Sequence, residues 1–464
     1  MTDLSSEEFR QYGDEVVDWI ATYLAGLREL AVLPDVVPGE TAARLQRSGP
    51  EHAEPLALIL DDFRSIIVPA TTHWNHPRFF AYFSVSASAA GILAEALTAA
   101  LNVNGMVWKS SPAFTELETT VIDWVRQWLG LPDQFFGVMY DTASVSTMHA
   151  LAAAREFVDP ESRTRGMRGD LTVYTSEQAH SSVEKGAIAL GFGQNNVRKV
   201  PVDSAFRMIP SELSRLMAED AAAGRKPCCV VPTVGTTSTT SIDPVRETVN
   251  VAAPYGAWIH IDGAYGGCAA ILPELQSILD GTAEAHSLVV NPHKWFFTPI
   301  DCSLLFTARP DVLKRAFSLV PEYLKTAQDA DAVNLMDYGV PLGRRFRSLK
   351  LWFVLRSFGR QGMASIIRSH IEMAREFAAA VETDERFEVC APVPLSLVCF
   401  RLRASDEANR ELLDRINRTG VAFLSHTVLH NRFVLRLALG NLRTTREDIA
   451  LTWDTSRQQA EGLI

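Results

Sequence analysis

The chain has 464 residues, enough to bury more than one core, and 44 basic against 55 acidic residues leave a net charge of -11. No run of lysine and arginine is long enough to form a nucleic-acid tail, and no apolar stretch reaches the roughly 18 to 20 residues that span a bilayer, so neither a nucleic acid nor a membrane is expected as a partner. Six cysteines at positions 228, 229, 268, 302, 390 and 399 show no CxxC pairing, and the N-terminus has neither the basic start nor the apolar stretch of a signal peptide; a cytoplasmic location is the expectation.

Between residues 9 and 30, Val16, Ile20, Tyr23, Leu24 and Leu27 recur at helical spacing, until Pro34 and Pro38-Gly39 stop the helix. A second helix over 54–66 carries Leu56, Ile59, Leu60, Phe63 and Ile66. Two helices with apolar faces and no sheet make a poor independent unit, so residues 1–84 are expected as an N-terminal helical arm that packs on a larger body or on a second subunit. From about residue 87 helices at 87–101, 112–129 and 146–157 give way to short apolar strands at 171–175, 197–202, 228–234, 258–261, 288–290 and 303–307. Strands this apolar, separated by helices, predict an α/β domain over 85–355 with a mostly parallel central sheet covered by helices on both faces, and active residues outside its strand ends. A long helix starting near residue 345 leads into residues 356–464, where helices at 363–383 and 408–419 and strands at 396–401, 422–427 and 432–439 predict a small C-terminal α+β domain.

Asn291-Pro-His-Lys-Trp295 places Lys294 just beyond the apolar run Leu288-Val289-Val290. Desolvation or a neighbouring positive charge makes a lysine an imine-forming nucleophile, and Trp295-Phe-Phe297 favours its partial burial; the plain alternative is a surface lysine in a loop. Asp262 lies in Trp258-Ile-His-Ile-Asp-Gly-Ala-Tyr265, at the end of another apolar run. A carboxylate there pairs with a protonated pyridine nitrogen, or simply caps a turn. A metal pair with His260 finds no third ligand at motif spacing, so no metal is expected. A lysine at the mouth of a sheet with an acid held for a ring nitrogen is what pyridoxal 5'-phosphate (PLP) chemistry needs.

His180, after the strand at 171–175, is placed either to stack over a planar cofactor or to serve as a hydrogen-bonded structural group. Asp141-Thr-Ala-Ser-Val-Ser-Thr147 precedes an alanine-rich helix and offers Thr142, Ser144, Ser146 and Thr147 as donors for a phosphate, although such residues are equally ordinary caps. Asp141 is awkward beside a dianion. Thr72-His-Trp-Asn-His-Pro-Arg-Phe-Phe-Ala-Tyr-Phe83 reads as a core-forming loop or as the wall of an aromatic pocket. Tyr323 lies in a polar stretch that reads as a lid or a surface loop. No GxGxxG, no Gly-Lys-Ser and no GxSxG elbow supports a nucleotide site or a serine hydrolase.

Together these segments resemble the group II PLP-dependent decarboxylases, and specifically the aromatic-L-amino-acid decarboxylase family. The sharpest matches are His76-Pro-Arg-Phe-Phe-Ala-Tyr-Phe83, Ser111-Pro-Ala-Phe-Thr-Glu-Leu-Glu118, Gln178-Ala-His-Ser-Ser182, Asn291-Pro-His-Lys-Trp295 and Leu342-Gly-Arg-Arg-Phe-Arg-Ser-Leu-Lys350. The resemblance implies the aspartate-aminotransferase fold (fold type I), a homodimer with active sites near the subunit interface, and decarboxylation of tryptophan, phenylalanine, tyrosine or dopa. It implies that Lys294 forms the imine with the cofactor, that Asp262 pairs with the pyridine nitrogen and His180 stacks on the ring, and that Thr237 lies beside the cofactor. Thr142, Ala143 and Ser144 would hold the phosphate with Asn291 and His293, and Tyr323 would return a proton after carbon dioxide leaves. Trp74, Tyr82 and Phe83 would wall the substrate pocket.

The sequence departs from the family pattern where Ser84-Val85 replaces Pro-Thr, where Asn104 and Met106 replace the animal enzymes' Ile and Phe, and at Asp141. Gly343 stands where the resemblance links glycine to indole substrates. Two rivals remain: an aromatic aldehyde synthase, which the resemblance associates with phenylalanine in place of the loop tyrosine, and a non-catalytic relative acting as an interaction protein.

Overall fold

The computed structural model describes residues 3–319 and 332–463. Seven strands form the large sheet: β1 Phe136–Tyr140, β2 Leu171–Ser176, β3 Val197–Val200, β4 Lys226–Val231, β5 Trp258–Asp262, β6 Ser287–Val290 and β7 Ser303–Thr307, in the order β1-β7-β6-β5-β4-β2-β3. Pairings from β3 through β2, β4 and β5 to β6 are parallel, whereas β7 runs antiparallel to both β6 and β1. The mostly parallel sheet of an α/β fold is therefore present, made mixed by β7.

Both faces are covered, which is why β5, β6 and β7 are buried at every position. Helix Ala143–Val158 packs across β4, β5, β6 and β7 on one face, in a core that includes Ala150, Leu151, Val173, Trp258 and Leu305. Helices Pro112–Leu129, Pro210–Ala222 and Val245–Ala252 contribute to the core of the opposite face with Tyr174, Ile259, Ile261, Leu288 and Phe306. A second, antiparallel sheet has the order β10-β11-β9-β8, from β8 Phe387–Val389, β9 Leu397–Leu402, β10 Ser425–Leu429 and β11 Arg432–Ala438. Phe377, Phe400 and Trp453 meet in its core, the last from helix Arg446–Gln459.

The two sheets are joined by helix Arg347–Glu382, which breaks at Gly359 (φ 62°); residue 355 lies inside this element. Helix Ser6–Ala25 begins in a capping box between Ser5 and Glu8 but buries none of its residues, and neither does helix Leu56–Asp62.

Strand β1 is absent from the sequence reading because Gly137 interrupts its apolar run. A Cβ on Gly137 would stand 2.0 Å from Ile122 Cγ2, so the glycine marks close contact between β1 and helix Pro112–Leu129. Strand β10 starts at Ser425, three residues later than expected. Helix Arg446–Gln459 also went unread, although Thr445 and Asp448 form a reciprocal capping box at its start.

Candidate active site

The carboxyl ends of β4, β5 and β6 and the turns after them enclose a cavity of ≈ 180 Å³ lined by Lys294, Asp262, His180, Thr233, Asn291 and Phe83, among others. Lys294 is placed by the one-turn helix Pro292–Trp295, in which Pro292 occupies the first turn and the Lys294 N–H bonds the Asn291 carbonyl at 3.0 Å. Its side chain is half-buried, and the surface it keeps lines the cavity. Desolvation holds its ammonium below the ordinary lysine value, against the opposing pull of Asp262 and Cys268. The ammonium also stands 5.3 Å from the centroid of the Phe83 ring.

Asp262 ends β5 with its side chain buried, and its Oδ1 accepts the Ala264 N–H at 3.1 Å. His180 follows β2, is exposed, and lines the same cavity. Its Nδ1 accepts the Ser182 N–H at 3.1 Å, so the neutral ring carries its proton on Nε2. Desolvation lowers its pKa, Asp262 pulls it up, and Lys294 and Lys185 push it down.

Thr142, Ala143 and Ser144 also line the cavity, at the N-terminus of helix Ala143–Val158, and no side chain caps that end. Asp141 turns its carboxylate onto the Thr142 N–H and hydroxyl. His293 accepts the Cys302 N–H on Nδ1 at 3.0 Å, and burial, followed by the Lys294 charge, pushes it down to about 3. Its neutral ring therefore donates from Nε2, 3.4 Å from the amide nitrogen position of Asn291, while the Asn291 Oδ1 position is buried without a partner. Exchanging the amide's O and N satisfies His293 and leaves an NH₂ donor on a residue that lines the cavity.

Phe83 stacks on Tyr265 at 3.9 Å and Tyr265 on Trp295 at 4.5 Å, while the Tyr265 hydroxyl donates to the Leu439 carbonyl at 2.9 Å. The stack thus carries packing from the lysine turn to the second sheet. Arg436 of β11 is buried among carbonyls and hydroxyls: it donates to Thr237 O at 2.6 Å, Ser238 O at 3.1 Å, Tyr82 O at 3.4 Å and Ser425 Oγ at 2.7 Å. Burial lowers its pKa. Tyr82, held this way, has φ 52°, a left-handed conformation an aromatic residue adopts only under constraint.

Of the expected pocket wall, Phe83 lines this cavity. Trp74 and Tyr82 are exposed and stack on each other at 5.8 Å, Ser84 is buried, and Val85 is half-buried. Asn104 accepts the Arg344 N–H at 2.9 Å, Met106 packs with Val107 and Met336, and Gly343 lines a separate cavity of ≈ 290 Å³ with Asp141, Arg344 and Arg347. Tyr323 lies outside the described residues.

Residues 38–403 match the family model described as the pyridoxal-dependent decarboxylase conserved domain. The chain belongs to that family. It is 41% identical to phenylacetaldehyde synthase of Arabidopsis thaliana, covering 99% of this chain and 97% of that protein, and 40% identical to tyrosine decarboxylase 2 of Narcissus pseudonarcissus, covering 99% and 95%. The crystal structure of Oryza sativa TDC with PLP and tryptamine superposes with a TM-score of 0.96 at 37% identity, over 99% of each chain.

The decarboxylase binds PLP, and its cavity fits the group: it combines a desolvated lysine, a buried carboxylate, an uncapped helix N-terminus, the unspent amide position of Asn291 and the unspent Thr233 Oγ1. With that set assembled, the reading as a non-catalytic interaction protein has no support. No helix among the described residues is long and apolar enough to cross a membrane. Sequence reasoning missed Thr233, Tyr265 and Arg436. Tyr265 ends the same motif as Asp262, but Thr233 and Arg436 are recognisable only once distant segments meet.

Proposed function

We propose that this enzyme removes the carboxylate of an aromatic L-amino acid and releases carbon dioxide and the arylalkylamine, with an indole side chain preferred. The observation that carries the reading is the convergence of Lys294, Asp262 and His180 on one cavity beside Phe83. Bound PLP supplies an electron sink for the bond broken at Cα. Lys294, desolvated, offers more free amine than an ordinary lysine and would be the nucleophile that holds the cofactor. Asp262 would hold a proton on the pyridine nitrogen, and the amides at Ala143 and Ser144 with the Asn291 side chain would receive the phosphate. The imidazole of His180, on the cavity wall, carries its proton on Nε2. Tyr323, by family resemblance, holds the proton delivered to Cα, and amine rather than aldehyde as product rests on that tyrosine.

The rest of the pocket wall is assigned to a second copy of the chain. Asn104, Met106 and Gly343 do not line the Lys294 cavity of their own chain, and Leu97 and Leu101, just before Asn104, are exposed. A Cβ on Gly343 would meet nothing nearer than Asn104 at 3.7 Å, which leaves open space beside Asn104 for a wide ring system.

An aldehyde synthase, consuming oxygen and releasing aldehyde, ammonia and peroxide, is the second reading; the phenylacetaldehyde synthase at 41% identity favours it. Incubation with tryptophan, phenylalanine, tyrosine and dopa separates the two. The expected result is amine equal to carbon dioxide without peroxide, with the highest kcat/KM for tryptophan. Stoichiometric peroxide and aldehyde would overturn the decarboxylation, and a phenolic preference would overturn the indole assignment alone.

A further inference from the structure

A second buried carboxylate, Asp243, does not line the cavity that Asp262 bounds. Asp243 is 1% exposed, and its two oxygens accept two main-chain donors, Met208 N–H at 2.7 Å and Thr233 N–H at 2.8 Å. Its own N–H donates to the Thr233 carbonyl at 2.9 Å. Both main-chain groups of Thr233 are therefore held by one aspartate.

Thr233 in turn sits in register with Asp262 in a parallel bridge. The Asp262 N–H donates to Pro232 O at 2.9 Å, and the Asp262 carbonyl accepts Val234 N–H at 2.8 Å. The residues on either side of Thr233 thus hold both main-chain groups of Asp262. Asp243 also closes the base of the loop that carries Thr237, since Val234 pairs with Ile242 and the Gly235 and Thr236 N–H groups bond Ser241 O at 3.0 Å. Thr233 Oγ1, buried and unpartnered among the described residues, lies on the wall of the cavity shared with Asp262.

We propose that Asp243 is a positioning residue of the cofactor site, acting through the main chain of Thr233 to fix the Asp262 carboxylate and the loop that carries Thr237. The ionised acid accepts both N–H groups strongly, whereas protonation turns one oxygen into a hydroxyl, a much weaker acceptor. Burial pushes Asp243 up to about 7, against the two backbone bonds and with added repulsion from Asp203, itself paired with Arg207, and from Asp262. The array is therefore complete above about pH 7 and loosens below it. This role is independent of which amino acid is the substrate.

The test uses holoenzyme reconstituted with PLP labelled at the ring nitrogen. Wild-type protein is expected to give the ¹⁵N signal of a protonated pyridine at pH 8, and a cofactor Kd that rises as the pH falls through about 7. Asp243→Asn, which keeps one acceptor and faces the other amide with NH₂, is expected to move the ring signal toward the unprotonated position at pH 8 and to raise the cofactor Kd about tenfold. Asp243→Glu, retaining the acid, should restore part of both. An Asp243→Asn holoenzyme with the wild-type ring signal would reduce Asp243 to a packing group, however low its melting temperature. If neither variant folds, the wild-type titration decides: a cofactor Kd unchanged from pH 8.5 to 6 overturns the proposal.

Discussion

At the scale of single residues, the site works by opposing environments. Lys294 and Asp262 bound the same cavity, where desolvation weakens the lysine's hold on its proton while the carboxylate limits that effect. A lysine buried without a counter-charge loses its proton outright; one beside a fully exposed acid keeps it. Holding both at a strand end gives an amine poised for exchange and an acid fixed for the ring nitrogen. Asp262→Ala removes the fixed partner without opening the sheet, because its main-chain bonds to residues 232 and 234 remain. Loss of one preorganised charge of this kind lowers kcat by about 100- to 1000-fold. Steady-state kinetics at saturating cofactor should show that fall with the lysine-bound visible band retained; unchanged kcat would mean that the carboxylate does not face the ring nitrogen.

At the scale of elements, small residues decide where helices and strands approach. Gly137→Val would drive a side chain into Ile122 at the contact between β1 and helix Pro112–Leu129, where both residues belong to packed elements. Overpacking at such a contact costs about 1–3 kcal/mol, measurable as a lower denaturation midpoint with an unchanged m-value. The same glycine explains why β1 escaped the sequence reading: its backbone role is set by a helix that precedes it, and local pattern carries no trace of that. Strands β5, β6 and β7 were legible because burial on both faces makes their sequences uniformly apolar. Lys294, Asp262 and His180 were legible because each lies at or just beyond the end of an apolar strand, β6, β5 and β2 respectively. Arg436 was not, since its partners at Thr237, Ser238, Tyr82 and Ser425 come from three separate stretches of chain. Nor was Thr233, whose importance comes from Asp243 and Asp262 meeting around it.

At the scale of the whole molecule, two features govern what the chain does in solution. Burial depresses His76, His149, His260, His286 and His370 to about 4 and His293 to about 3. The unfolded chain takes up protons on these rings near pH 6.5, and the folded chain does not, so stability present above 6.5 is lost progressively as the pH falls toward 4. Asp243, raised to about 7, changes stability in the opposite direction over part of that range but is one group against six. Melting temperatures should therefore drop steeply between pH 6.5 and 4. The second feature is the unspent apolar surface. Helix Ser6–Ala25 has no fully buried residue, and Leu93, Leu97 and Leu101 form an i, i+4, i+8 stripe on helix Ala89–Leu101, with exposures of 56%, 48% and 57%. Such a stripe on an isolated chain is a face awaiting a partner. Covered by a second copy, it would bring the segment from Asn104 to Met106 toward the neighbouring site, and a two-fold interface would do so twice. Leu97→Asp puts a charge at the centre of that stripe. In analytical ultracentrifugation the wild type is expected to sediment as a dimer and the variant as a monomer. Because its Lys294 cavity is intact, it should still bind PLP while losing most of its decarboxylation. A monomeric variant with full activity would show that each chain builds its pocket alone.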